Sequence, residues 1–180
     1  LLTQLFDKHP NLISHPYEIY IGYPKKWNWP KIKIPETRKN PCKTFNKLSN
    51  RVTQESLVFG YSKYSNPENN NEIIDFKFNY IYQKKLFKRL IRYKKLKNKR
   101  NILNIWFTSY FNSFQKINLK KKKFIFGFVP RFNLYDENIE NFFNDYPDGK
   151  IIHIIRNPVN WYSSSKKHSE EYKDLIKSIR

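Results

Sequence analysis

Arg156, Asn157 and Ser164 lie in the stretch KIIHIIRNPVNWYSSSKKH (150–168), where an apolar run breaks off at an arginine. A guanidinium can fork onto a phosphate, and a serine hydroxyl can add one hydrogen bond. Ser164 follows Arg156 by eight residues, roughly two turns of a helix. Pro158 suits the first turn of that helix, whose free N–H groups favour an anion. Together these residues predict a clamp for a terminal phosphate monoester. Plainer readings stay open. An arginine that ends a strand is often a surface residue or the partner of a nearby acid, and serines at a helix start are often solvated or capping. Lys166 follows Ser164 and would add positive potential. Arg131, in VPR, ends another apolar run and is a candidate for contact with cofactor or acceptor, with a surface salt bridge as the alternative. No His, Cys and acid residues recur at metal-ligand spacing, so no metal site is expected.

These residues need elements to hold them. The runs KKKKFIFGFVP (120–130) and KIIHIIR (150–156) read as short buried strands. YDENIENFFNDYPDG (135–149) reads as a helix closed by a Pro-Asp-Gly turn, and a further helix starts at Asn157 or Pro158. Strand, helix, strand, helix implies a parallel sheet covered on both faces, an α/β fold. In such sheets ligands bind beyond the carboxyl ends of the strands, where Arg131 and Arg156 fall. Lys120–Lys123 sit at the opposite end of their strand and receive no role. Trp161 is assigned to packing.

The first half is less regular. Residues 1–9 have helical apolar spacing, stopped by Pro10. Residues 13–26 read as a short extended piece with turns at His15-Pro16 and Tyr23-Pro24. The proline-rich 27–44 reads as loop, 46–60 as room for a short helix, and the polar 60–72 as an exposed loop. Residues 73–118 form a helical segment. It begins with a basic helix striped by Leu86, Leu90 and Tyr93. A second, amphipathic helix over 101–115 carries Ile102, Ile105, Trp106, Tyr110 and Phe114 on its inner side.

Composition bounds the function classes. The chain has 180 residues, 18% of them aromatic, which suits one domain with a packed core rather than a disordered tail. No run of apolar residues is long enough to span a membrane as a helix. The single cysteine, Cys42, excludes a disulfide framework within the chain and fits a reducing compartment such as the cytoplasm. The net charge is +20, and 27 of the 35 basic residues are lysines spread along the chain. Lys, Asn, Ile, Phe and Tyr all have AT-rich codons, so base composition alone can produce much of this excess, and no nucleic-acid partner is expected from it. The chain opens on Leu1 and contains no Met, so it reads as a fragment cut at the amino end.

YPDGKIIHIIRNPVNWYSSSKKH resembles the 3′-phosphate-binding segment of the PAPS-dependent sulfotransferases, where PAPS is 3′-phosphoadenosine 5′-phosphosulfate. That segment is a strand, Arg-Asn/Asp-Pro, and a helix with a serine eight positions after the arginine. Arg156, Asn157, Pro158 and Ser164 match it. LLTQLFDKHPN (1–11) is similar to the helix that follows the family's 5′-phosphosulfate loop. The likeness covers 1–18 and about 101–175. It implies a three-layer P-loop-NTPase-like fold with a central parallel sheet, truncated here because the 5′-phosphosulfate loop would precede Leu1. On this view residues 1–180 are a single partial sulfotransferase domain.

The resemblance further implies transfer of a sulfuryl group from PAPS to an acceptor hydroxyl or amine, on a carbohydrate or another compound, with no metal. Many members use a histidine base after the strand that precedes the 3′-phosphate motif. Phe128 stands near that position here, and a phenyl ring takes no proton. Other members use a glutamate shortly after the first helix. Glu18 matches that position to within about one residue, and His15 is the reserve candidate; their plain readings are a solvated loop carboxylate and a turn residue before proline. Two rival functions remain: a basic module for RNA or single-stranded DNA, and another nucleotide-dependent transferase of P-loop type. A Gly-Lys-Ser/Thr loop upstream of Leu1 would favour the latter, and a Pro-Lys/Arg-Ser-Gly-Thr type loop would favour PAPS.

Overall fold

Leu12–Glu18 forms β1 and Phe124–Phe128 forms β2, and the two pair in parallel. Leu12 lies opposite Phe124, Ile13 opposite Ile125, and Ser14 opposite Phe126. Residues 6, 9–19, 21–25, 27–49, 78–114, 121–129, 132–155, 157–166 and 173–174 are described by the computed structural model, the side chains of 16–18, 134 and 164 aside. Most of the expected helix over 1–9, the loop over 60–72 and most of the helix expected within 46–60 fall outside these residues. The register of β1 against β2 slips between Ser14 and Glu18. Pro16 lies in that gap and has no N–H to give the ladder, so the strand runs through it irregularly. The turn expected at His15-Pro16 is therefore corrected to the interior of a strand.

The proline-rich 27–44 holds two helices rather than one loop. Ile34–Lys39 forms α1 and Pro41–Ser49 forms α2. Pro35 and Pro41 sit in first turns, where a missing N–H costs nothing, so these prolines start helices instead of breaking them. Tyr80–Tyr93 forms α3, with the Tyr82 N–H donating to the Asn79 side chain at 2.9 Å as its cap. It buries Gln83, Leu86, Phe87 and Ile91, the spacing of one helical face. Leu86 is on that face as expected. Tyr93 is 82% exposed, because it lies at the edge of the face and ends the helix. Lys99–Phe111 forms α4, opened by a reciprocal cap between Asn98 and Asn101.

α4 is the centre of the core. Ile102, Ile105, Trp106 and Tyr110 are buried, as their spacing predicts, and so are Leu103, Phe107 and Phe111. A helix apolar nearly all round is an interior helix. Trp106 stacks on Tyr110 with centroids 5.3 Å apart, and its indole N–H donates to Ser49 Oγ at 3.0 Å. The indole thus joins α4 to the end of α2.

Two expected buried strands behave otherwise. β2 forms, but Phe124 and Phe128 are exposed. Residues 151–155 have no regular secondary structure, and Ile155 is 87% exposed. Among the described residues the sheet has two strands. A strand exists by its ladder partners, and an apolar run supplies none by itself. The helix expected over 135–149 is present as α5, Asp136–Asp145, followed by a turn at Pro147-Asp148. The helix opened by Pro158 is present as α6, Pro158–Ser165. The architecture is mixed helix and strand with a small two-stranded parallel sheet. The chain divides into two compact units, Leu1–Asp148 and Gly149–Arg180.

Candidate functional site

Of the residues expected to clamp a phosphate, α6 carries Ser164, and Asn157 stands directly before its first residue. Asn157 Oδ1 accepts from the N–H of Val159 at 2.9 Å and of Asn160 at 3.4 Å, and the Asn157 carbonyl accepts from the Trp161 N–H at 2.9 Å. Asn157 is therefore the cap that starts the helix directly after the apolar run. Ser164 lies in the last turn of α6, and its side chain is outside the described residues, as is the whole of Arg156. Lys166 is exposed and holds its ammonium 4.4 Å over the Tyr162 ring, which keeps one positive charge against the carboxyl end of the helix.

In the first unit, the carboxyl ends of β1 and β2 come together because the strands are parallel. Glu18, the last residue of β1, has Phe128, the last residue of β2, as its register partner. The Ile19 N–H donates to the Phe128 carbonyl at 2.8 Å, which extends the pairing one step further. Arg131 follows β2 by three residues and lies outside the described ones; of Glu18 only the backbone is described. Gly127 lets the strands sit this way. A Cβ there would fall 1.9 Å from Ile19 Cδ1 and 2.7 Å from Cγ1.

His15 is 3% exposed. Its ring stacks on Tyr110 at 4.7 Å and meets the edge of Phe111 at 6.3 Å. The imidazole is thus a side chain of the core, packed on α4. Beyond the strand ends a crevice of about 10 Å³ is lined by Ile19, Ile21, Trp29, Val129 and Phe132 among others. That volume suits roughly one water molecule.

One polar node braces this end of the sheet, and sequence reading missed it. Asn138 on α5 is 2% exposed. Its Oδ1 accepts from the Trp29 N–H at 2.7 Å, and its Nδ2 donates to the carbonyls of Trp27 at 2.7 Å and Phe132 at 3.2 Å. The Trp29 indole N–H donates to Asp145 Oδ2 at 2.6 Å, and Lys99 Nζ pairs with the same oxygen at 2.6 Å. Trp29 meets Phe132, Phe142 and Tyr146 edge-on at 5.3–6.1 Å. The signal available was the WNWP cluster (27–30): two tryptophans in four residues are rarely all solvent-facing.

Charges beside this node are perturbed by visible partners. Arg100 forks onto Asp148 at 2.7 and 2.8 Å and lies 4.9 Å over the Tyr146 ring. The Arg100 hydrogen bond holds the Asp148 carboxyl below its ordinary pKa, and Lys31 does the same for Glu137 at 2.7 Å. Burial pushes the Tyr146 phenol up, and its hydroxyl donates to Asn104 Oδ1 at 2.8 Å. Among the described residues, no group of three or more His, Cys, Asp or Glu could hold a metal ion, and no helix is long and apolar enough to cross a membrane. No family model, no curated protein and no solved structure matches this chain.

Proposed function

We propose that the protein is a sulfotransferase that moves a sulfuryl group from PAPS to an acceptor hydroxyl or amine, on a P-loop-NTPase-like sheet of which β1 and β2 are two strands. The observation that carries this reading is the register of those strands. The resemblance offers two positions for the base, one after the first helix and one after the strand preceding the phosphate motif. In this chain Glu18 lies within about one residue of the first position and Phe128 near the second, and the two residues are partners at the carboxyl ends of neighbouring parallel strands. A carboxylate at 18 therefore serves the same end of the sheet as an imidazole at 128 would.

The donor set fits a phosphate monoester. A guanidinium, a serine hydroxyl and a helix start capped by Asn157 suit a dianion by their charge and hydrogen-bond donors. PAPS would supply the activated sulfuryl group. The chain's part is to bind and to orient. Arg156 and Ser164 take the 3′-phosphate, with Asn157 holding the helix start in place. Arg131 and Lys166 add positive charge, and Glu18 accepts the acceptor's proton.

Calorimetric titration with 3′-phosphoadenosine 5′-phosphate tests the assignment. Arg156→Ala removes a charge-assisted forked pair, expected to cost about 2 kcal/mol, or roughly 30-fold in Kd. Ser164→Ala removes one neutral donor and is expected to cost less than tenfold. Equal affinity of the Arg156→Ala variant and the unaltered protein would overturn the site.

A further inference from the structure

The residues between 84 and 97 include eight Lys and Arg. Between Phe76 and Tyr135 the chain has 17 basic residues and no Asp or Glu. Charge of one sign over such a length can still be dispersed, or neutralised by acids from elsewhere, and among the described residues α3 shows neither. Its inner face is spent on the core through Gln83, Leu86, Phe87 and Ile91, so Lys85, Arg89 and Arg92 fall on the solvent side and are exposed. The ion pairs given by Glu36, Glu137, Asp145 and Asp148 go to Lys47, Lys31, Lys99 and Arg100. None of the eight cations of 84–97 forms an ion pair among the described residues.

Two tyrosines share that face. Tyr82 is 44% and Tyr93 82% exposed. They lie eleven residues apart on one helix, about 16 Å along its axis, with Arg89 on the same flank between them. Large aromatic rings left in water beside cations that have no ion-pair partner among the described residues match a ligand that alternates flat π-faces with negative charge. A lipid surface fits less well. An amphipathic helix enters a bilayer with its apolar face, and the apolar face of α3 is already buried. We infer that the outer face of α3 is a binding surface for single-stranded nucleic acid. Phosphates lie on Lys85, Arg89, Arg92 and the adjoining lysines, and bases stack on Tyr82 and Tyr93. The inference stands apart from the sulfotransferase reading, since it uses none of the residues assigned there.

The test is fluorescence anisotropy of the full chain with a labelled oligouridylate across a salt series, repeated with a duplex of equal length, with inorganic polyphosphate and with phosphatidylserine vesicles. If four cations each neutralise one phosphate, log K falls with log salt at a slope of about −3. The Lys85→Gln/Arg89→Gln/Arg92→Gln variant is expected to bind at least tenfold more weakly and with a slope shallower by about 2. Tyr82→Ala/Tyr93→Ala is expected to lose about tenfold on the oligouridylate, keep its salt slope, and leave polyphosphate binding unchanged. All five positions are exposed, and an unchanged far-ultraviolet spectrum establishes that each variant is folded. Unaltered binding in the triple variant overturns the surface. Equal loss on polyphosphate and oligouridylate in the tyrosine variant, tighter binding of duplex, or binding to vesicles alone overturns its assignment to single strands.

Discussion

Gln83 is fully buried on the inner face of α3, and neither its amide nitrogen nor its amide oxygen makes a hydrogen bond among the described residues. A buried amide without partners costs about 1–3 kcal/mol. Gln83→Leu, of similar length and apolar, is expected to stabilise the protein by about that amount, read as a raised urea midpoint at unchanged slope. A lowered midpoint would show that the amide is engaged. Asn138, equally buried, is the contrast: both ends of its amide are bonded, and they tie Trp27, Trp29 and Phe132 to α5. Nothing local distinguishes these two amides in the sequence. Gln83 falls at an apolar helical position and Asn138 follows two acids, yet which finds partners depends on loops that arrive from more than a hundred residues away. Candidate functional residues were readable only where chemistry is packed into one stretch, as in RNPVNWYSSS (156–165), of which the structure describes the cap at Asn157 and the helix start at Pro158.

Elements were readable where their own periodicity decides them. α4 and α5 lie close to where spacing puts them, because an interior helix and an amphipathic helix are each specified by side chains of one segment. Prolines misled in both directions. Pro35 and Pro41 begin helices, and Pro16 sits inside β1, since the effect of a proline depends on which N–H the element can spare. The strand pair has its own local requirement at Gly127. Gly127→Ala drives a methyl group into the Ile19 side chain and is expected to destabilise the protein by about 1–3 kcal/mol. The double variant Gly127→Ala/Ile19→Val, which removes the Cδ1 methyl that the new Cβ meets, is expected to recover part of that loss. Absence of any recovery in the urea midpoint would mean that the clash is not what glycine avoids.

For the molecule as a whole, tertiary pairing is what the sequence left unwritten. The α/β class follows from short apolar runs between helices, but which runs pair does not, and 150–156 shows the difference. Ionic contributions also belong to this scale. Asp148 and Glu137 have lowered pKa values in the folded chain, through Arg100 and Lys31. A carboxyl with a lowered folded pKa stabilises the fold above its ordinary pKa, and that contribution is lost as pH falls through the folded value. Asp148→Asn/Glu137→Gln is therefore expected to be less stable than the unaltered protein at neutral pH. The gap should close between about pH 5 and pH 2; a gap independent of pH would contradict the ionic origin. The open apolar run 151–155 and the uncovered Phe124 and Phe128 of β2 bear on how the protein behaves in concentrated solution. Such segments are templates for cross-strand stacking between molecules. Lys121–Lys123 before one and Lys150 before the other act as charged gatekeepers, and the surplus of 20 positive charges keeps copies apart only over the Debye length. Colloidal stability is thus a property of ionic strength: the salt that weakens repulsion between chains also brings their sticky segments within reach of one another.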